Sequence, residues 1–255
     1  MRKPLFWQTE GQGLDLVLIH GWGMNGAVWH NIVMQLSQHY RVHAVDLPGY
    51  GHSGASQADS FEQMCEWILE EAPENAIWLG WSLGGLVATH ITQVAPERVS
   101  KLITVASSPS FADSEQWKGI KPEVLNNFIE QLSGNFRLTV ERFMALQAMG
   151  SPTARQDVKQ VKKAVFSRPV PEPQVLAQGL KILADTDLRG SLTLINQPFL
   201  RLYGRLDGLV PVNVAEKVSE MSPHSESYIF QSASHAPFIS HSEEFIEVLQ
   251  RFIDK

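Results

Sequence analysis

Short apolar runs alternate with segments of helical spacing along most of this chain. Six runs of four to six residues predict strands, at positions 14–19, 41–45, 76–79, 102–105, 199–203 and 227–230. Between them, apolar residues recur at helical intervals, for example Phe61, Met64, Cys65, Ile68 and Leu69, and later Phe245, Val248, Leu249 and Phe252. Because strands alternate with helices, we expect an α/β fold with a mostly parallel, doubly wound sheet.

The alternation stops between residues 111 and 184. This stretch contains several helical patterns and a proline-rich interruption at 169–173, but no convincing strand pattern. Strand–helix alternation resumes at Phe199. The sequence therefore predicts a core formed by residues 1–110 and 185–255, with residues 111–184 inserted as a helical cap.

Composition narrows the class of protein. The chain has 255 residues and a single cysteine, Cys65, which cannot form an internal disulfide. No cluster of Cys and His has the spacing of a zinc site, so we expect neither a metal nor another cofactor. No run approaches the roughly 18 apolar residues of a membrane span, and the first residues lack a secretory pattern. We expect a cytoplasmic protein without a membrane partner.

Charge is unevenly distributed between the two predicted parts. The whole chain carries a formal net charge of −6, which argues against nucleic acid as a partner. Residues 111–184 contain 10 basic and 7 acidic side chains, whereas the remainder carries a net charge of −9. Within residues 133–170, 7 basic side chains face only 2 acidic ones. A basic cap on an acidic protein suggests an acidic partner.

A G-x-S-x-G motif supplies the candidate nucleophile. Residues 80–84 read Gly-Trp-Ser-Leu-Gly, directly after the predicted strand 76–79 and before a helix-like segment. A serine on a tight strand-to-helix turn is lifted above the sheet, and the flanking glycines avoid clashes at that turn. A glycine-rich turn with an incidental serine is the alternative, but this context favours Ser82 as a nucleophile.

A serine hydroxyl needs a base and an acid that orients the base. Asp207 follows the predicted strand 199–203, and His235 follows the strand 227–230, which gives the chain order serine, acid, histidine. Asp185 and Asp187 precede the relevant strand, so they are weaker candidates for the acid. The other candidate histidines are weaker candidates for the base. Four of them adjoin no motif, namely His30, His39, His43 and His224, and two lie on predicted helices, namely His90 and His241.

Two backbone N–H groups are candidates for an oxyanion hole. One belongs to Leu83, at the start of the helix after the nucleophile. The other belongs to Trp22, in the loop 20–23 that follows the first strong strand pattern. Residues 46–53 are glycine-rich but lack the pattern of a phosphate-binding loop, so we interpret them as a structural loop that supports the site.

Together these residues resemble the α/β-hydrolase superfamily over nearly the whole chain. Several runs along the chain are, in addition, similar to the methyl ester esterases of biotin synthesis that act on pimeloyl-acyl-carrier protein. These runs lie at residues 78–88, 104–109, 119–122, 142–147, 206–211, 224–230 and 235–241. Because several lie outside the motifs common to all hydrolases, they point to this esterase family in particular.

The resemblance implies a monomeric serine carboxylesterase that cleaves the methyl ester of a pimeloyl chain on its acyl carrier protein. It implies a Ser82–Asp207–His235 triad and carrier contacts at Arg142, Arg155 and Lys159. It also implies contacts with the substrate, at Trp22, Ser82, Leu83, Phe143, Met144, Ala145, Leu146, Gln147 and His235. Leu138 stands where the family has an arginine, and Arg137 lies one position earlier.

The sequence leaves two questions open, one about the cap residues and one about the function. The apolar residues near Phe143 either line an acyl channel or simply pack the cap on the core. A broad short-chain carboxylesterase and a carbon–carbon bond hydrolase are alternative functions, because both use the same fold and triad.

Overall fold

The computed structural model describes residues 2–255, except for the side chains of residues 133–137. The strands are β1 (Trp7–Glu10), β2 (Asp15–Ile19), β3 (Arg41–Val45), β4 (Ala76–Trp81), β5 (Val99–Val105), β6 (Phe199–Gly204) and β7 (Glu226–Phe230). The α-helices are α1 (His30–Leu36), α2 (Phe61–Glu71), α3 (Leu83–Val94), α4 (Pro122–Ala148), α5 (Ala154–Val165), α6 (Pro173–Asp185), α7 (Asn213–Met221), α8 (Pro237–Ser240) and α9 (Ser242–Ile253).

In the described residues, the strands form one sheet in the order β1-β3-β2-β4-β5-β6-β7. β1 pairs with β3 in the antiparallel direction, and all other neighbours are parallel. The predicted fold class is therefore confirmed. β1 was absent from the prediction because its sequence, Trp-Gln-Thr-Glu, has no apolar alternation.

The helices bury the stripes that their spacing predicts. In α2, Ser60 caps the first turn by accepting a hydrogen bond from Gln63 N at 3.1 Å. The inward stripes of α2 and α9 are buried against the central core. α2 packs on α3 and α1 packs on α9, so two groups of helices accompany the sheet.

Strand register brings the functional loops to one edge. Ile19, the last residue of β2, lies opposite Val45 at the end of β3 and opposite Gly80 near the end of β4. Trp81 at the end of β4 lies opposite Val105 at the end of β5. Loops that follow parallel strands open at the carboxyl edge, which is where doubly wound folds bind ligands. The turn after β4 and the loops after β2, β6 and β7 therefore meet at this edge.

Three helices, α4, α5 and α6, lie between β5 and β6 in the chain. α4 packs against both α5 and α6. The chain enters and leaves this segment at adjacent points, because Ser110 forms a bridge with Asp187 and Leu188 N donates to Pro109 O at 2.8 Å. These contacts support the predicted cap at 111–184, and its exact limits stay a prediction.

A buried ion pair joins the cap to the core. Arg168, just after α5, places Nη1 2.6 Å from Asp46 Oδ1, and the two side chains are 8% and 0% exposed. The same Asp46 oxygen accepts a hydrogen bond from Gly26 N at 2.6 Å. Asn25 Nδ2 also donates to Val165 O at 2.8 Å. The end of α5 is thus anchored to the loops after β2 and β3.

No described helix combines the length and the apolar character that crossing a lipid bilayer requires.

We expect Arg168→Leu to lower the free energy of unfolding by about 3–5 kcal/mol, since it leaves the Asp46 carboxylate buried without its cation. Urea unfolding measures this change. Lys255→Leu is the control, because the Lys255–Glu226 pair has side chains 54% and 52% exposed. Such an exposed pair contributes about 0–1 kcal/mol. Equal, small effects of the two substitutions would contradict a stabilising role for the buried pair.

Candidate active site

Ser82 occupies a strained turn between β4 and α3. Its backbone has φ 56° and ψ −118°, a conformation that a residue other than glycine rarely adopts. Its N–H donates to Val105 O at 2.9 Å, and its C=O accepts from Ser107 Oγ at 2.8 Å. One backbone and one side-chain hydrogen bond therefore hold the turn in place, and such retained strain marks Ser82 as a candidate functional residue.

Glycines allow the turn to approach the sheet closely. A Cβ on Gly80 would lie 2.0 Å from Gly84 O, and a Cβ on Gly84 would lie 2.4 Å from Ile19 O. These atoms are backbone atoms and cannot move aside cheaply. The two glycines of the motif are thus required by packing, and they place Ser82 beside the end of β2.

His235 and Asp207 form a buried pair at the same edge. His235 Nδ1 lies 2.7 Å from Asp207 Oδ2, and His235 is fully buried. The second carboxylate oxygen, Asp207 Oδ1, accepts hydrogen bonds from Leu209 N at 2.8 Å and Val210 N at 3.1 Å. With both oxygens occupied, the carboxylate is held in one orientation and can orient the imidazole.

The ring nitrogen of His235 that does not contact Asp207, Nε2, is positioned to accept a proton. Nε2 is buried and has no hydrogen-bond partner among the described residues. An unpaired buried nitrogen costs free energy unless a ligand or reacting group uses it. Ser82 is also buried, with 2% of its surface exposed. This arrangement suits a base that accepts a proton inside a closed site.

The end of α4 holds the histidine loop from the cap side. His235 N donates to Gln147 O at 3.1 Å, and Ser234 Oγ donates to Met149 O at 3.0 Å. Carbonyls at a helix C-terminus have no partner within the helix, so they are free to accept such bonds. From the core side, Trp81 Nε1 donates to His235 O at 2.8 Å. Cap and core therefore share the positioning of His235.

The two predicted oxyanion donors lie on either side of the nucleophile. Leu83 begins α3, where the first N–H groups lack partners within the helix. Trp22 follows Gly21, and a Cβ on Gly21 would lie 3.2 Å from Ser82 Cβ. The loop after β2 thus lies directly against the serine. This placement supports Leu83 N and Trp22 N as donors, and their role remains a proposal.

The residues that the resemblance assigns to the substrate differ in exposure. Trp22, Phe143 and Met144 are buried, and the Trp22 and Phe143 rings meet edge to face with centroids 4.6 Å apart. Gln147 is buried too, and its Nε2 has no partner among the described residues. Leu146 is half-buried, and Ala145 is exposed. The buried members therefore face the core, whereas Ala145 does not.

The predicted carrier contacts lie on the outer surface of the cap. Arg142, Arg155 and Lys159 are exposed. Arg155 and Lys159 form no ion pair among the described side chains, whereas Arg142 binds Gln131 Oε1 at 2.9 Å. Leu138 is 42% exposed. The side chain of Arg137 lies outside the described residues.

The rival acids and bases lie in other environments. Asp187 pairs with Arg189 at 2.6 Å, and His90 packs on Phe61 with ring centroids 5.2 Å apart. Burial lowers the pKa of His90. Asp185 ends α6 and lines the cleft that contains His90. Among the described residues, no group of three or more His, Cys, Asp or Glu side chains could hold a metal ion.

Sequence reasoning missed the Arg168–Asp46 pair and the contacts of His20. Arg168 lies 122 positions from Asp46, so no local pattern could pair them. His20 directly precedes Gly21 in the predicted oxyanion loop. This position was the one feature of the sequence that could have indicated a role for His20 in the site.

Comparison with known proteins agrees with this architecture. A family model described as the alpha/beta hydrolase fold matches residues 16–242. An esterase from Exiguobacterium antarcticum has a TM-score of 0.85 at 24% identity, covering 98% of this chain and 96% of its own. An enol-lactonase from Burkholderia xenovorans has a TM-score of 0.84 at 16% identity, covering 98% and 96%. The chain is therefore an α/β hydrolase.

More similar relatives define the family within that class. A protein of Aliivibrio fischeri is 61% identical over 255 residues, covering 100% of this chain and 99% of the relative. A Vibrio cholerae protein is 58% identical over 252 residues, covering 99% of each. Both are named pimeloyl-[acyl-carrier protein] methyl ester esterase. The chain belongs to this family of esterases.

We expect Asp207→Asn to lower kcat on a small chromogenic ester by about 10⁴-fold, because the amide would favour the wrong imidazole tautomer. Asp187→Asn provides the matched control, since that exposed carboxylate lies outside the proposed triad, and it should leave kcat unchanged. Steady-state kinetics with circular dichroism of each variant test this. Comparable kcat values for the two variants would exclude Asp207 as the acid.

Proposed function

We propose that this esterase hydrolyses the methyl ester of a pimeloyl chain carried by acyl carrier protein, using Ser82, His235 and Asp207. The observation that carries the proposal is the buried His235–Asp207 pair at the same edge of the sheet as a strained serine, in a chain 61% identical over its full length to a methyl ester esterase. The family assignment makes the chain a carboxylic ester hydrolase. The free carboxylate at the end of the pimeloyl chain is the product that biotin synthesis requires.

In the first half-reaction, Ser82 Oγ attacks the ester carbonyl carbon while His235 Nε2 accepts the hydroxyl proton. The carbonyl oxygen becomes an oxyanion, which the N–H groups of Leu83 and Trp22 stabilise. The bond from carbon to the methoxy oxygen then breaks, and His235 returns its proton to that oxygen. Methanol leaves, and the acyl group remains on Ser82.

In the second half-reaction, a water molecule attacks the acyl carbon and His235 Nε2 accepts its proton. The tetrahedral intermediate collapses, the bond to Ser82 Oγ breaks, and His235 protonates the serine oxygen. The product leaves as the carboxylic acid and releases its proton to water, and the enzyme returns to its starting state. Asp207 stabilises the imidazolium in both halves without taking the proton itself.

Access to Ser82 lies between cap and core. Ser82, Leu83 and Trp22 are essentially buried, so a substrate reaches the serine only when side chains at this boundary are displaced. Trp22 Nε1 donates to Leu176 O on α6 at 2.8 Å, and Phe143 of α4 packs on the same indole. We propose that the acyl chain inserts here, against Phe143 and Met144, and ends with its ester at Ser82.

The exposed basic face of α5 suits the carrier. Arg155 and Lys159 lie four positions apart on one helix, and Lys162 on the same face pairs with Glu141 at 2.9 Å. Acidic carrier helices and the phosphate of a carrier arm are complementary to unpaired surface cations. Arg142 on α4 extends this surface. The alternative is a charged face that contacts only water. Charge reversal distinguishes this alternative from a carrier-binding surface.

We expect Arg155→Glu combined with Lys159→Glu to reduce kcat/KM on the carrier-linked ester by at least about tenfold, since charge reversal opposes an acidic partner. The same variant should retain activity on a small chromogenic ester, which needs no carrier contact. Kinetics on both substrates measure the ratio. Lys181→Glu is the control, because this exposed lysine lies on α6 beside the cleft that contains His90. Equal losses on both substrates would contradict carrier docking on α5.

We expect Ser82→Ala to abolish release of methanol from pimeloyl-acyl-carrier-protein methyl ester, and wild-type protein to restore growth of a biotin-requiring strain that lacks this esterase. Gas chromatography of methanol and a growth assay provide the measurements. Ser100→Ala is the control, since this exposed serine lies at the start of β5, away from the carboxyl edge of the sheet. Failure of well-expressed wild-type protein to restore growth would overturn the proposed substrate. Turnover by short esters or diketones alone would then favour a broad esterase or a carbon–carbon bond hydrolase.

A further inference from the structure

His20 is a buried histidine beside the oxyanion loop, and both of its ring nitrogens are in use. Nε2 lies 3.0 Å from Leu47 N, and Nδ1 lies 2.8 Å from Gly21 O. The ring is fully buried, with its edge toward the Tyr50 ring at a centroid distance of 5.4 Å. The proposed mechanism assigns no role to this residue.

The two contacts determine which nitrogen carries the proton. A backbone N–H only donates, so Nε2 must be the unprotonated nitrogen that accepts from Leu47. Nδ1 then carries the hydrogen and donates to Gly21 O. Burial lowers the pKa of His20 to about 4; Asp46 opposes this shift, and Arg168 adds to it. The ring is therefore neutral near pH 7, in a single tautomer.

The bond to Gly21 O also determines where Trp22 N–H points. The Gly21 carbonyl and the Trp22 N–H belong to the same peptide unit. That unit is planar and trans, so its C=O and N–H point in opposite directions. Any interaction that fixes the carbonyl therefore fixes the direction of the N–H. Met24 N adds a longer hydrogen bond to Gly21 O, at 3.3 Å.

We propose that His20 is a positioning residue, which aims Trp22 N–H at the developing oxyanion through the bond from its Nδ1–H to Gly21 O. This inference rests on the proposed function only in taking Trp22 N as an oxyanion donor. It applies to any ester that Ser82 attacks. A donor that is already aligned needs no reorganisation when the oxyanion forms, so it stabilises the transition state more than the substrate.

The surroundings keep the ring itself in place. Leu47 directly follows Asp46, whose carboxylate accepts hydrogen bonds from Gly26 N at 2.6 Å and His52 N at 2.8 Å. The segment 20–26 is thus bound to the residues after β3 at its first and last positions. His20 accepts a hydrogen bond from Leu47 N, and Gly26 N donates to Asp46. Because Gly21 lies against Ser82, a small rotation of its peptide would misdirect the N–H.

Two amide variants separate the donor role from the acceptor role. The side-chain N–H of an asparagine reaches the place of Nδ1, whereas the oxygen of a glutamine reaches the place of Nε2. His20→Asn therefore keeps the bond to Gly21 O, and His20→Gln keeps the bond from Leu47 N. Each variant loses one of the two hydrogen bonds, so each serves as the stability control for the other.

We expect His20→Gln to lower kcat on a small chromogenic ester by about 10²–10³-fold with KM nearly unchanged, since a transition-state interaction is lost. His20→Asn should lower kcat by no more than about tenfold, because its donor remains. The rate at which a fluorophosphonate labels Ser82 should follow the same order, because the tetrahedral phosphorus adduct also places an oxygen in the oxyanion hole. Thermal unfolding of both variants provides the comparison of stability.

Equal kcat values for the two variants would overturn the proposal, and so would a kcat loss in proportion to lost stability or a rise in KM alone. The labelling rate needs no ester substrate, so it tests His20 even if the proposed substrate is wrong. Conversely, failure of the wild-type protein on the carrier-linked ester would contradict the proposed function and leave the order of labelling rates intact.

Discussion

The close packing of the turn after β4 against the end of β2 is the constraint on which the site depends. Gly84 lies so near Ile19 O that a Cβ would overlap it, and a Cβ on Gly21 would lie 3.2 Å from Ser82 Cβ. This contact holds Ser82, the start of α3 and the loop 20–23 in one cluster. Ser82 can keep its strained backbone because the hydrogen bonds of its N–H and C=O hold it from β5 and Ser107.

The helices of the predicted cap contribute contacts to the site itself. Each cap helix bonds to a loop at the carboxyl edge: α4 through Gln147 O, α5 through Val165 O, and α6 through Leu176 O. The first of these bonds holds His235. The proposed carrier surface on α4 and α5 is thus continuous with the elements that position His235. Because Ser82 and His235 are buried, electrostatic interactions within the site are stronger than at an exposed surface.

Much of the fold could be predicted because its signals are local. The strand β4 is a continuous apolar run, and α2 shows both a cap at Ser60 and a buried stripe. The G-x-S-x-G motif predicts Ser82 as the nucleophile because glycine and serine at that spacing have a specific steric role. The sequence pattern does not predict the edge strand β1. This strand is partly exposed and is held by backbone pairing with β3, so its side chains need no apolar alternation.

By itself the sequence determined the class of fold, the candidate triad and the basic character of the cap, because these depend on residue type and spacing. Only the tertiary structure decided which groups meet across long separations, such as Arg168 with Asp46 or His235 N with Gln147 O. It also decided the tautomer of His20, which depends on the donor that faces each nitrogen. Hydrogen-bond direction and burial arise from packing between distant segments, and no local pattern encodes them.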